Sequence, residues 1–425
     1  MTRKMKMETE ICVVTLNCWG IRFISKDRVQ RMNAIGDELA TGKYDFVFLQ
    51  EIWTTEDYER IKKRTSDVLP YSYYFYSGVI GAGICIFSKS EIKSAFFHQW
   101  AVNGYIHKVQ HGDWFGGKGI GMVEVVHNGL TINLYTAHLH AEYDRVNDEY
   151  LAHRVIQAFD TAQFIKMTSK HADAVIVGGD LNTEPGDLAY KVIIHTAELK
   201  DSICDVEKPS LAESLNTNEI PSNSYSSSAQ LKTNPFGKRI DYICFKSKYG
   251  VSVKTISSEV PWPNRVPNES FSYSDHEAVV AKLRITKSTS VDKIDVPEGQ
   301  NDAKKEVILE SINICSAAME HLQFSKKMYF VISLVCLCCL LALGSFDTTG
   351  NWWVLLPILR ILTLLVLVFG VIMGSVWNRM EVNGILAGML AMKLEIGRSA
   401  EFDDFDELGA CGDRAVTVSP IDCAP

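Results

Sequence analysis

No long run of lysine or arginine occurs in this chain, and the formal charge at neutral pH is -8. Proteins that grip polyanions normally gather cations into a patch or stripe. The balance argues against nucleic acid as a partner. The stretch Met1 to Glu10 is polar and charged, with no apolar core, so no signal peptide is expected there. Cysteine supplies no framework either. The 11 cysteines are odd in number. Cys336, Cys338 and Cys339 cluster in an apolar run, and the rest are scattered. Cys336 and Cys339 have CxxC spacing, but no second Cys or His pair accompanies them. Neither a disulfide set nor a zinc site is implied. These absences favour a reduced, cytosolic setting for the bulk of the chain. The sequon at Asn268 to Ser270 is then a chance match.

What is present is apolar mass. Of 425 residues, 47% are hydrophobic and 22% are charged, enough for one large core plus further elements. Short β-rich runs read as strands at Ile11–Asn17, Phe46–Gln50, Gly83–Phe87, Thr131–Ala137, Ala174–Gly178, Ile240–Phe245 and Ala278–Leu283. Val29, Met32, Ile35 and Leu39 recur at helical spacing, as do Val155, Ile156, Phe159 and Phe164. The alternation predicts sheets covered by helices, an α/β or α+β domain over residues 1–286. Ser210–Thr233 is rich in Ser and Asn and reads as a long loop. From 287 to about 310 the chain turns polar, which reads as a linker within a juxtamembrane segment, 287–327.

Two long apolar runs follow. Residues 328–344 carry no charge, and residues 352–376 carry one, Arg360. Both are long enough to span a bilayer, the first only just. Trp352, Trp353 and Trp377 flank the second, where interfacial aromatics belong, and Arg360 is placed to snorkel toward the loop side. Lys326 and Lys327 precede the first run and Arg379 follows the second. The connecting loop has Asp347 and no cation. The positive-inside rule puts both outer flanks in the cytosol. The expectation is a multi-pass integral membrane protein with a cytosolic domain and a cytosolic tail, 377–425. The short first run favours a thin internal membrane such as the endoplasmic reticulum. The tail holds an apolar helix candidate, Ile385–Leu394, and an acidic patch, Glu401–Glu407.

Six segments put polar groups at strand ends: Leu16-Asn17-Cys18-Trp19, Leu49-Gln50-Glu51, Ala137-His138-Leu139-His140, Gly178-Gly179-Asp180-Leu181-Asn182, Arg239-Ile240-Asp241-Tyr242 and Ser274-Asp275-His276. Any one alone reads as a turn or cap. Together they hold what phosphodiester hydrolysis needs. Mg2+ neutralises phosphate oxygens while held by one or two carboxylates. Glu51 is the expected ligand, with Asn17 beside it as a neutral oxygen donor. The absence of thiolate argues against zinc. Asp180 and Asn182 share one turn and can reach one phosphoryl group. His276 and His138 are the natural proton handlers, and Asp241 is the expected carboxylate partner of a histidine.

In this order the six segments resemble the endonuclease/exonuclease/phosphatase superfamily, whose members include deoxyribonucleases, abasic-site endonucleases, inositol polyphosphate 5-phosphatases and sphingomyelinases. The resemblance spans residues 11–284. It implies a four-layer sandwich, two packed β-sheets with helices outside. With the two apolar runs added, the chain resembles the neutral sphingomyelinase branch with an N-terminal catalytic domain and two C-terminal transmembrane helices. That resemblance implies Mg2+-dependent hydrolysis of sphingomyelin to ceramide and phosphocholine, with Mn2+ able to substitute. It implies His276 as general base, Asp180 and Asn182 orienting water and phosphate, and Glu51 holding the metal with Asn17. His138 would stabilise the transition state or help protonate the ceramide oxygen. Asp241 and Asp275 would support the histidines. The Asp180 carboxylate is the alternative base. Gly112–Gly119 resembles that branch's substrate loop, in which Asp113 and Lys118 would form a gating switch.

Tyr71, Tyr73, Tyr74, Phe75 and Tyr76 could offer faces to a choline headgroup, although alternate members read first as a buried or half-buried strand; Trp114, Phe115 and Trp262 are further candidates for touching lipid. The competing readings are a phospholipase C acting on lyso-type choline phospholipids, a membrane-bound nuclease or phosphoinositide phosphatase of the same fold, and a non-enzymatic membrane adaptor. No Lys/Arg cluster flanks the catalytic segments, which counts against the polyphosphate readings.

Overall fold

The protein is described here by a computed structural model covering residues 6–206, 215–288, 300–346, 350 and 353–397. One sheet contains β1 (Lys6–Asn17), β2 (Phe46–Gln50), β3 (Tyr71–Tyr74), β4 (Cys85–Ser88), β11 (Val251–Glu259) and β12 (Val279–Ser288), in the order β11-β12-β1-β2-β4-β3. The other contains β5 (Ile92–Gln99), β6 (Gly119–His127), β7 (Leu130–His138), β8 (Ala174–Asp180), β9 (Lys200–Asp201) and β10 (Asp241–Ser247), in the order β5-β6-β7-β8-β10-β9. The sheets face each other across a dry core that includes Val13, Phe46, Phe48, Leu134, Ile176 and Phe245. Helices α1 (Arg28–Leu39) and α2 (Thr55–Thr65) cover the first sheet through Met32, Ile35, Leu39 and Ile61. Helices α4 (Leu151–Thr168) and α5 (Leu188–Ala197) cover the second through Val155, Phe159, Val192 and Ile193. This is the four-layer sandwich. Two short helices, α3 (Asp113–Gly116) and α6 (Ser228–Thr233), lie in connections. The second interrupts the loop expected over 210–233 and starts with a capping box at Ser227 and Gln230.

The C-terminal region departs from the sequence expectation. The polar stretch from 287 is not a linker through 310. β12 runs to Ser288, and α7 (Gln300–Gly344) is one continuous helix of 45 residues. Its first half packs on the domain through Ile308, Ser311, Cys315, Met319 and Leu322, a row at helical spacing that the charges of Lys304, Lys305, Glu306 and Glu310 conceal. The second apolar helix, α8 (Leu355–Ile372), passes through a π-helical turn at Met373–Trp377 into α9 (Asn378–Glu395). The region from 377 onward is therefore not simply a tail. α9 buries Ile385, Met389 and Met392 against α4, and Gly388 lets it approach Ile156. The α7 and α8–α9 helices are long and apolar enough to cross a membrane. Arg360 donates to Leu343 O at 2.6 Å and Phe346 O at 2.9 Å, closing the end of α7. Trp352, Asp347, Pro297 and the acidic patch Glu401–Glu407 lie outside the described residues.

Candidate active site

Strand pairing assembles the site. β1 and β2 run parallel with Asn17 opposite Gln50, so Asn17 and Glu51 leave the first sheet side by side. β7 and β8 run parallel with His138 opposite Asp180. β10 lies antiparallel to β8 with Asp241 opposite Asp180. The same edge of the two sheets thus carries every one of these groups. Asn17 Nδ2 joins the sheets, donating to Asp180 Oδ2 at 2.9 Å and Glu51 Oε1 at 3.2 Å. Glu51 and Asn182 both sit in the left-handed region, at φ 56° and 44°. Such conformations are costly for residues other than glycine and turn each side chain sharply at the end of its strand.

Asp180 is the centre of the cluster. His138 Nε2 lies 3.6 Å from Asp180 Oδ2 and 4.0 Å from Glu51 Oε1. His276 Nε2 lies 3.9 Å from Asp180 Oδ2. His276 Nδ1 is 2.9 Å from Asp241 Oδ2. Asn182 N donates to Asp180 Oδ1 at 2.9 Å, and its Nδ2 donates to Leu139 O at 3.0 Å. A cleft of about 160 Å³ opens over these groups, and Asn17, Glu51, His138, Asp180, Asn182 and His276 line it. That is room for a phosphoryl group with its waters.

Asp113 and Lys118 meet behind His138 in a buried ion pair at 2.5 Å. Lys118 Nζ also lies 3.4 Å from His138 Nε2 and donates to Leu139 O at 3.2 Å. Tyr143 donates to Asp113 Oδ2 at 2.7 Å. Asp275 sits beside the cleft, and its Oδ1 accepts from Ser274 at 3.2 Å.

Burial and charge divide the two histidines. Burial alone would lower the pKa of His276, but the Asp241 carboxylate and its hydrogen bond raise it well above the ordinary value. Burial, helped by the Lys118 cation, pushes His138 well below it. Burial and the neighbouring Asp241 push the Asp180 carboxyl up to about 7. Burial and Asp275 also raise that of Glu51. Burial would raise the Asp113 carboxyl too, yet Lys118 and His140 hold it well below the carboxylate range.

Several supporting residues carry no motif. Arg31 is fully buried and forms no ion pair with a carboxylate among the described residues. Its guanidinium donates to Lys26 O, Cys18 O, Trp19 O and Tyr273 O at 2.7–3.2 Å. It clamps the segment after Asn17 to the segment before His276. Ser274 adds a bond to Asn17 O at 2.6 Å. Gln50 Nε2 donates to Thr15 in its own sheet and across to Thr136 in the other. Trp53 donates to Glu51 Oε2 at 3.3 Å. Two expectations need correction. Trp262 does not face lipid: it is buried, with its indole donating to Tyr44 at 2.8 Å. Asn17 does not present its oxygen beside Glu51, because that oxygen accepts from Trp19 N at 3.0 Å while the NH2 spans the two carboxylates. Of the aromatic strand, Tyr74 and Phe75 are core residues, whereas Tyr71, Tyr73 and Tyr76 are exposed.

The donor set fits a divalent metal. Asp180, Asp241 and His276 offer ligand atoms within 4.8 Å of one another, and Glu51 adjoins them. Asp241 Oδ1 is buried without a hydrogen-bond partner among the described residues. The raised carboxyls of Glu51 and Asp180 mark a site short of positive charge. Clustered oxygen donors without thiolate suit a hard cation.

Residues 14–276 match the model of the endonuclease/exonuclease/phosphatase family. The chain belongs to that family. Its relatives are narrower in name. A Drosophila melanogaster protein bearing a neutral sphingomyelinase name is 39% identical over 444 residues, covering 93% of this chain and 99% of its own. Human sphingomyelin phosphodiesterase 2 is 39% identical over 287 residues, 67% of each chain. An inositol phosphosphingolipids phospholipase C of Schizosaccharomyces pombe is 29% identical over 406 residues, 90% of this chain and 94% of its own. Within the endonuclease/exonuclease/phosphatase family this chain thus aligns with lipid phosphodiesterases along nearly all its length, the C-terminal helices included.

Proposed function

We propose that this chain hydrolyses sphingomyelin to ceramide and phosphocholine with Mg2+ as cofactor, at the surface of the membrane its C-terminal helices enter. The observation that carries the reading is one phosphate-sized cleft in which His138 and His276 lie within 3.9 Å of Asp180 and Glu51 lies 4.0 Å from His138. The names of the relatives supply the lipid substrate. Mg2+ held by Glu51, or Mn2+ in its place, would supply charge neutralisation on the phosphate.

The rest of the work falls to this chain's own side chains. The deprotonated fraction of His276 takes the proton of the attacking water at Nε2; Asp241 makes that nitrogen a stronger base and leaves a larger share of the imidazole cationic at neutral pH. Asp241 accepts from Nδ1–H, which fixes the tautomer and aims the Nε2 lone pair at the cleft. Asp180 is the rival base, with its carboxyl near 7. Both its oxygens already accept hydrogen bonds, from Asn17 and Asn182, which suits it to orienting the water with Asn182. The depressed pKa of His138 keeps it neutral, so it stabilises charge on the phosphoryl oxygens rather than giving up a proton. Asp275 acts on His276 through its charge. The Asp113–Lys118 pair, one contact behind His138, gates the site.

The cleft rim carries Glu142, Glu184, Asp187 and Glu219 against Arg145 and Lys238. This acidic excess disfavours polyphosphorylated headgroups and nucleic acid, and favours a cationic one. Both flanks of the helical hairpin pack on the domain, which supports a topology with the domain and both flanks together on the cytosolic side of an internal membrane such as the endoplasmic reticulum. The test is a parallel assay of the purified full chain on sphingomyelin, a lyso-phosphocholine lipid and single-stranded DNA, with Mg2+ or chelator. The expected result is phosphocholine release from sphingomyelin that stops on chelation. DNA cleavage alone would overturn the reading.

A further inference from the structure

Two loops beside the site end in exposed apolar side chains. In the first, Phe23 is 96% exposed and Ile24 69%. In the second, Tyr76 is 72%, Val79 78% and Ile80 47% exposed. Arg22 from the first loop and residues 76–81 from the second line one open groove, whose inner wall includes Trp53. The Trp53 indole is hydrogen-bonded to Glu51 on its other side. Clustered exposed apolar groups of this kind mark a contact surface. Arg22 and Lys26 are exposed in the same loop, and cations interleaved with Phe and Ile are the pattern of an interfacial membrane contact.

The contacts of the second loop say what covers it. Val79 N and Ile80 N donate to Phe115 O at 2.8 and 3.2 Å, and Ser77 donates to Gly117 O at 2.7 Å. The loop is thereby seated on the segment that holds Asp113 and Lys118. The neighbouring Trp114 ring packs on Trp377 at 5.2 Å. Trp377 ends the π-turn that follows the apolar helix α8. A continuous path of contacts therefore runs from the exposed tips to the point where the second span meets the domain.

We infer that the loops at 21–24 and 76–80 form a rim that dips into the lipid bilayer, holding the Glu51 side of the cleft against the headgroup layer. The inference rests on the reading of the chain as a membrane-surface phosphodiesterase and adds the surface by which it engages lipid. The spans fix the protein to a membrane. The rim fixes which way the cleft faces.

The test uses the full chain reconstituted in phosphatidylcholine vesicles containing sphingomyelin, and the same protein with sphingomyelin dispersed in detergent micelles. For the Phe23→Asp/Val79→Asp variant the vesicle-to-micelle activity ratio falls about tenfold, because two charges must be drawn toward the apolar layer. Val126→Asp, at an exposed position toward the far end of β6, leaves the ratio unchanged. A solvatochromic residue placed at 79 emits as in an apolar medium and is quenched by lipid-borne quenchers. An unchanged ratio, an equal loss in both formats, or water-like emission at 79 each overturns the rim. If the wild-type protein spares sphingomyelin in both formats, the substrate assignment fails, and the emission at 79 still decides the rim.

Discussion

His276 Nδ1 and Asp241 Oδ2 are 2.9 Å apart in a buried setting, joining the end of β10 to the segment that leads into β12. The carboxylate raises the basicity of the imidazole and leaves its other nitrogen toward the cleft.

Asp241→Asn removes the charge that lifts His276, so the pKa of the imidazole falls. The acid limb of the pH–rate profile then moves to lower pH, while the rate on the plateau drops by roughly 10²-fold as the base weakens. The check is kcat/KM across pH for both proteins. An unmoved limb would place the base elsewhere, with Asp180 next in line.

Lys118→Met takes a cation from beside His138 and strands the buried Asp113 carboxylate. A loss of about 10²-fold in kcat is expected, together with lower stability. The Asp113→Asn/Lys118→Met double variant removes the stranded charge. It regains the stability and stays slow if Lys118 acts on the site. A double-mutant cycle on kcat and melting temperature separates the two effects.

The segments that line the cleft are legible in the sequence because each is a polar residue at the end of an apolar run, and parallel strands deliver such ends to one edge. Arg31 is not. Within α1 it reads as an ordinary polar position between Gln30 and Met32, and its four acceptors come from segments up to 242 residues away. The inner half of α7 was hidden for the opposite reason, since its charges drew attention from the buried row Ile308, Ser311, Cys315, Met319 and Leu322. Trp262 resembles a lipid anchor in sequence because its partner, Tyr44, lies 218 residues away. The pairing β5–β6 was missed because β5 is an edge strand whose exposed Phe96 breaks the apolar pattern.

Arg31→Met leaves the carbonyls of Cys18, Trp19 and Tyr273 without their donor. A loss of roughly 3 kcal/mol is expected from these unmet groups. Arg31→Lys recovers only part, since an ammonium lacks the planar fork. Thermal unfolding of the three proteins in detergent reads this directly.

Asp160 on α4 is pushed up to about 6 by burial. Its charged form is disfavoured in the fold, so stability declines as pH rises from about 4, the unfolded value, through the folded value, and then levels. Asp160→Asn abolishes that slope. The variant should match wild type near pH 4 and exceed it by at most roughly 3 kcal/mol above pH 7. Melting temperatures at the two ends of this range provide the check.

The most direct test is a Mg2+ titration of sphingomyelin hydrolysis by wild-type protein and Glu51→Gln, paired with calorimetric measurement of Mg2+ binding to each. The account predicts saturable activation of the wild type from a chelated, inactive state. It predicts that Glu51→Gln keeps the wild-type melting temperature in chelator while losing both the bound metal and most of the activity. Wild-type turnover that persists in chelator, or a Glu51→Gln protein that binds Mg2+ and turns over normally, would contradict it.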